Sequence, residues 1–287
     1  VITIHANCFF VPWGMLYTHP TEEPLAANGS NFVKEGFWGY RHIIEHCPYK
    51  RKYGTNRVIH PSDDGRVTTG FHIDDAIKLV DDPDVMARQQ HFFAEHPLID
   101  SRERTLKAHL STALSSDEFN DKLMYFFCHG RGAGEIDKPN LGDSWLKLSD
   151  PPDTYITAND FDTWLGDRDL ESSPFVFCNA CQGGQMTTNF YESVALAMLA
   201  RGAAGLIGPQ IDVPIVFAEK FGRRFFERLL GDGQTPSDPA GKILRDLTRE
   251  FLDNHHNPLG LAYSLYSGAD MQFVPRRNQL AEPEQDS

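Results

Sequence analysis

The chain has 287 residues, with 40 Asp and Glu against 27 Lys and Arg, for a formal net charge of −13. Such an acidic balance disfavours phosphate backbones and anionic lipid unless a basic patch intervenes, and Arg223, Arg224 and Arg228 are interleaved with Glu219 and Glu227. No apolar run approaches the roughly 18 residues of a membrane helix, so no nucleic acid and no membrane is expected to be contacted directly.

Residues 18 to 70 are rich in Gly, Pro and Asn, and "GFWGYRHIIEH" and "RVTTGFHI" read as strands of a small subsheet. "KLMYFF" at 122–127 is a buried strand, with "CHGRGAG" as the loop that follows it. "PFVFC" at 174–178 repeats the pattern, and "NACQGGQMTTN" is the second loop. Asn189 and Glu192 have the spacing of a capping pair, and Val194, Met198 and Leu199 form a helical stripe that Gly202 ends. "AAGLIG" then gives a strand, completing a βαβ unit over 174–208.

Apolar residues at 217, 221, 225 and 229 keep to one helical face up to Gly231, and Ile243, Leu244, Leu247 and Phe251 mark another helix after "SDP". "LAYSLY" is a last strand. The expected fold class is therefore α/β, a mostly parallel sheet flanked by helices on both faces, with a small additional subsheet. One domain is expected over 1–275, followed by a polar, disordered tail over 276–287. The start at Val1, without a methionine or a signal pattern, suggests a domain from a longer protein.

Five cysteines, two of them inside apolar runs, do not form a disulfide framework and point to a reducing, cytoplasmic setting. In open α/β sheets reactive groups collect beyond the carboxyl ends of the strands. His129 and Cys181 both fall there, beside glycines that let a substrate approach the main chain. Cys178 belongs to the strand and is expected to pack. A thiol of ordinary acidity is only slightly ionised near neutral pH, so a cysteine nucleophile needs an imidazole to take its proton and backbone amides to hold the oxyanion. The other eleven histidines are expected on the surface.

The same atoms admit rival chemistries. "CNAC" is a C-x-x-C and could be a redox dithiol, and Cys128, His129, Cys178 and Cys181 could be zinc ligands. A buried Cys178 and the alternation of Cys128 with His129 weigh against these. A catalytically silent domain binding a protein partner through the same cleft is a third reading.

"NACQGG" is similar to the caspase signature Q-A-C-[RQG]-G, with Asn179 in place of glutamine, and the His-to-Cys separation suits it. "YFFCHG" followed by "FVFCNACQGG" more closely resembles the CHAT family of caspase-like domains, in the clan of caspases and separases. "VPWGMLY" at 11–17 resembles a P-W-E-L-L-Y element of that family, with Gly14 where glutamate is usual.

The resemblance implies a caspase-like cysteine endopeptidase in which Cys181 attacks, His129 transfers protons and the amides of Gly130 and Cys181 form the oxyanion hole. It implies no cofactor and no metal. It also implies a protein or peptide substrate, control by a regulatory module such as tetratricopeptide repeats in cis or trans, and a bacterial effector role. Asp143 and Asp212 are candidate substrate-binding residues that would favour a basic residue before the cleaved bond. Arg131 would favour an acidic one.

Overall fold

Continuous apolar runs become inner strands, and the four-residue apolar spacings become helices laid on them. A computed structural model of the chain describes residues 1–6, 11–19, 21, 26, 29, 32–49, 51–52, 56–131, 144–181 and 194–276, the side chains of Arg131 and Cys181 excepted. The strands are β1 (Ile2–Ile4), β2 (Ile44–His46), β3 (Val58–Ile59), β4 (Val67–Ile73), β5 (Ile99–Arg104) and β6 (Leu123–Arg131). They continue as β7 (Trp145–Lys147), β8 (Ile156–Thr157), β9 (Phe175–Cys181), β10 (Gly205–Pro209), β11 (Tyr263–Tyr266) and β12 (Gln272–Phe273). The helices are α1 (Trp38–Arg41), α2 (Val85–Glu95), α3 (Lys107–Ser115), α4 (Ala158–Leu165), α5 (Leu196–Ala200), α6 (Ile215–Leu230) and α7 (Ala240–His255).

Among the described residues, the main sheet has ten strands in the order β1-β2-β11-β10-β9-β6-β4-β5, with β7 beside β6 and β8 beside β7. From β10 to β5 neighbours are parallel, β11 is antiparallel to β10, and β2 and β1 follow β11. Parallel strands need cover on both faces. Tyr125, Phe127 and Phe177 pack on one face with Phe93 of α2, Phe221 and Phe226 of α6 and Phe251 of α7. Met124, Phe126, Val176 and Cys178 pack on the other with Leu110 of α3, Phe161 of α4 and Met198 of α5.

The βαβ unit is present as parallel neighbours β9 and β10 with α5 between them in the chain; Asn189 and Glu192 lie outside the described residues. Helices α6 and α7 bury the residues that the spacing selects. The subsheet is made of other residues than expected. "RVTTGFHI" supplies β4, buried along its whole length between β6 and β5, and "IEH" supplies β2 of the main sheet. The small second sheet pairs β3 with β12.

Gly14 has a packing reason. A Cβ there would sit 2.5 Å from the Leu261 carbonyl oxygen, so a glutamate would push the turn Trp13–Met15 off the turn that precedes β11. Among the described residues, no helix is long and apolar enough to cross a membrane.

Candidate active site

Strands β6 and β9 run side by side from Leu123↔Phe175 to His129↔Cys181. Neighbouring strands lie about 4.8 Å apart, so the two residues are brought together by backbone pairing across 52 positions of sequence. The expected loops begin later than the glycines suggest. His129 and Gly130 lie within β6, and Cys181 is the last residue of β9. The cause is β7, which pairs antiparallel with the end of β6 through His129↔Lys147, Gly130↔Leu146 and Arg131↔Trp145. It takes the flank that β4 leaves, since the β4 ladder with β6 stops at Ile73↔Phe127.

The His129 side chain is 45% exposed, and its Nε2 stands 3.7 Å from Oδ2 of Asp74, a residue 1% exposed. Asp74 follows β4 directly. Its amide donates to the Phe127 carbonyl at 3.0 Å, and its Oδ1 accepts the Ala76 amide at 3.0 Å. One carboxylate oxygen is thereby fixed in a turn and the other is left toward the imidazole. The adjoining Asp75 amide donates to Ser149 Oγ at 2.8 Å, which ties this turn to the residue two beyond β7.

Sequence reading misses Asp74. Its signal is a carboxylate directly past a buried strand, and only the placement of β4 beside β6 gives that signal meaning.

Gly130 is buried, and Asp212 is half-buried beyond the end of β10, the strand next to β9, just ahead of α6. Asp143, Gly183 and Gly184 lie outside the described residues, as does the Cys181 side chain. Cys178 is 3% exposed and Cys128 2%, both in the apolar cluster on the α3, α4 and α5 side. That placement disfavours Cys178 as half of an exchanging dithiol. Cys128 faces apolar neighbours while the next residue, His129, reaches Asp74, so the two do not converge as ligands of one ion. Burial pushes the Cys47 thiol up to about 11, with Glu45 adding to the shift, which makes it a poor nucleophile. His46 and His72 are not surface residues as expected: they are 3% and 0% exposed.

A helix-covered, mostly parallel sheet that pairs a histidine and a cysteine at neighbouring strand ends is a frame on which a cysteine peptidase can be built. The chain belongs to peptidase family C25, whose model matches residues 49–272. A "probable protease" of Vitiosangium sp. (strain GDMCC 1.1324) is 25% identical over 242 residues, covering 79% of this chain and 29% of that protein. The chain thus spans under a third of the curated relative it matches.

Among solved structures, the chain resembles separase in the Saccharomyces cerevisiae separase–securin complex, with 12% identity, a TM-score of 0.46, and coverage of 80% of this chain and 14% of that one. It also resembles the Arg-specific cysteine proteinase gingipain R, with 10% identity, a TM-score of 0.46, and coverage of 90% of this chain and 59% of that one. Neither structural likeness adds weight to the family assignment.

Proposed function

We propose that the chain is a cysteine endopeptidase acting on protein substrates, with one peptidase domain over residues 1–275. The observation that carries the reading is the register His129↔Cys181 with Asp74 behind the imidazole. The Cys181 thiol gives its proton to His129, and the sulfur attacks the scissile carbonyl carbon. The amides of Gly130 and Cys181 hold the oxyanion. His129 then passes the proton to the leaving amine, and water hydrolyses the thioester. Asp74 positions the ring with the proton on Nε2, leaving the other nitrogen for the thiol proton.

Asp212, with Asp143, is assigned to substrate binding and favours a basic residue before the cleaved bond. The CHAT likeness of "YFFCHG" and "FVFCNACQGG", and a relative more than three times as long as the matched segment, support control by an attached or associated module such as tetratricopeptide repeats. The setting that fits is a regulated bacterial effector in the cytoplasm.

Quenched fluorescent peptides varied at the residue before the cleaved bond test this. Cys181→Ala and His129→Ala should each lower kcat/KM by about a thousandfold or more, while Cys178→Ala stays within about threefold. Cleavage that survives Cys181→Ala removes the proposal.

A further inference from the structure

Two residues before Cys181, strand β9 carries a buried amide with several partners. Asn179 is 1% exposed, and it is the register partner of Phe127 on β6, one pleat below the His129↔Cys181 pair. Its Nδ2 donates to the Tyr125 hydroxyl at 3.0 Å and to the Ala218 carbonyl of α6 at 2.8 Å. Its Oδ1 accepts the Tyr263 hydroxyl at 2.7 Å. The orientation of the amide is fixed chemically, since a carbonyl accepts and never donates.

Four elements meet at this side chain: β9, β6, α6 and the first residue of β11. The meeting point is tightly fitted. A Cβ on Gly222 of α6 would stand 2.8 Å from Asn179 Nδ2 and 2.9 Å from the Tyr125 oxygen, so the helix is glycine where it crosses the amide. The surroundings are apolar: Tyr125, Phe177, Phe221 and Tyr263 all belong to the core cluster on this face. A buried amide with both protons and its oxygen engaged is costly to disturb, because each group left without a partner keeps its desolvation cost.

We infer that Asn179 is a positioning residue for the nucleophile: with Tyr125 and Tyr263 it locks the end of β9 against β6 and so sets the separation of Cys181 from His129. The inference rests on the peptidase reading of those two residues. Asn179 is buried with its amide engaged by Tyr125, Ala218 and Tyr263, so it acts through the backbone two residues on. The requirement is geometric, since a misplacement of about 1 Å at a reacting centre can cost on the order of a hundredfold in rate.

Tyr263→Phe and Asn179→Ala are compared with wild type by two measurements. One is the rate at which iodoacetamide alkylates Cys181, read by mass on the peptide carrying it. The other is kcat and KM on a quenched peptide that wild type cleaves. Val176→Ala, on the opposite face of β9, controls for lost stability.

Both rates should fall together, about tenfold in Tyr263→Phe and up to about a hundredfold in Asn179→Ala, with KM held within about twofold. Val176→Ala should keep wild-type rates although its melting temperature drops. Tyr263→Phe carries the test if Asn179→Ala does not fold. Wild-type rates in folded Tyr263→Phe overturn the inference, as does an equal fall in Val176→Ala. A wild-type Cys181 that alkylates no faster than the same cysteine in the urea-unfolded chain overturns the peptidase reading together with the positioning role of Asn179. That result is distinct from variants that match a fast wild type.

Discussion

At the scale of single residues, the candidate site is distinguished by what stands behind the proposed base. His129 is half exposed yet has a nearly buried carboxylate 3.7 Å from its Nε2. At that distance Asp74 stands just outside full hydrogen-bond reach of the ring. Asp74→Asn keeps the shape but places an amide beside the ring, which favours the wrong tautomer. We expect kcat to fall about tenfold to a hundredfold with KM nearly unchanged, a milder loss than for a tightly bonded triad carboxylate. Steady-state kinetics on the best peptide measures this, and an unchanged kcat removes Asp74 from the mechanism.

At the scale of elements, legibility followed burial. Strands β6 and β9 are inner and read directly as apolar runs, and α6 and α7 read from their spacing because each lays one face on the sheet. The edge strand β5, "IDSRER", escaped because its residues are mostly part-exposed and polar. Strand β4 reads as a strand, but the Gly-, Pro- and Asn-rich stretch before it suggests a subsheet rather than the middle of the main sheet. Gly70 is there for close packing: a Cβ would stand 2.3 Å from Asp121 Oδ2 and 2.6 Å from Arg104 Nη1, a buried ion pair 2.5 Å long that crosses the strand. The dyad candidates were legible from two apolar runs each closed by a glycine-rich stretch. Asp74 was not, because a carboxylate after a strand gains meaning only once that strand is known to neighbour β6. Nor was the role of Asn179, whose partners come from positions 125, 218 and 263.

At the scale of the whole molecule, two buried histidines set an acid limit on stability. Burial lowers His46 to about 4 and, with Arg104 adding to it, holds His72 well below its ordinary range. The unfolded chain protonates both near pH 6.5, whereas the folded chain does not, so the unfolded state binds more protons below that pH. Stability should therefore be full above about pH 6.5 and decline as pH falls toward 4, by on the order of 3 kcal/mol for His46 alone. Urea denaturation at pH 7.5 and pH 5 measures the difference. His72→Phe, which keeps a ring stacked on Phe126, should shrink it, and equal stability at both pH values would refute the linkage.

The proposed chemistry requires a sulfur and an imidazole to be neighbours where β6 and β9 end. A crystal structure of the chain reacted with a peptidyl acyloxymethyl ketone tests this most directly. It should have the reagent's carbon bonded to Sγ of Cys181 and a ring nitrogen of His129 within about 4 Å of that sulfur. A reagent carried by another cysteine, or a ring more than about 10 Å away, would rule out a Cys181–His129 dyad.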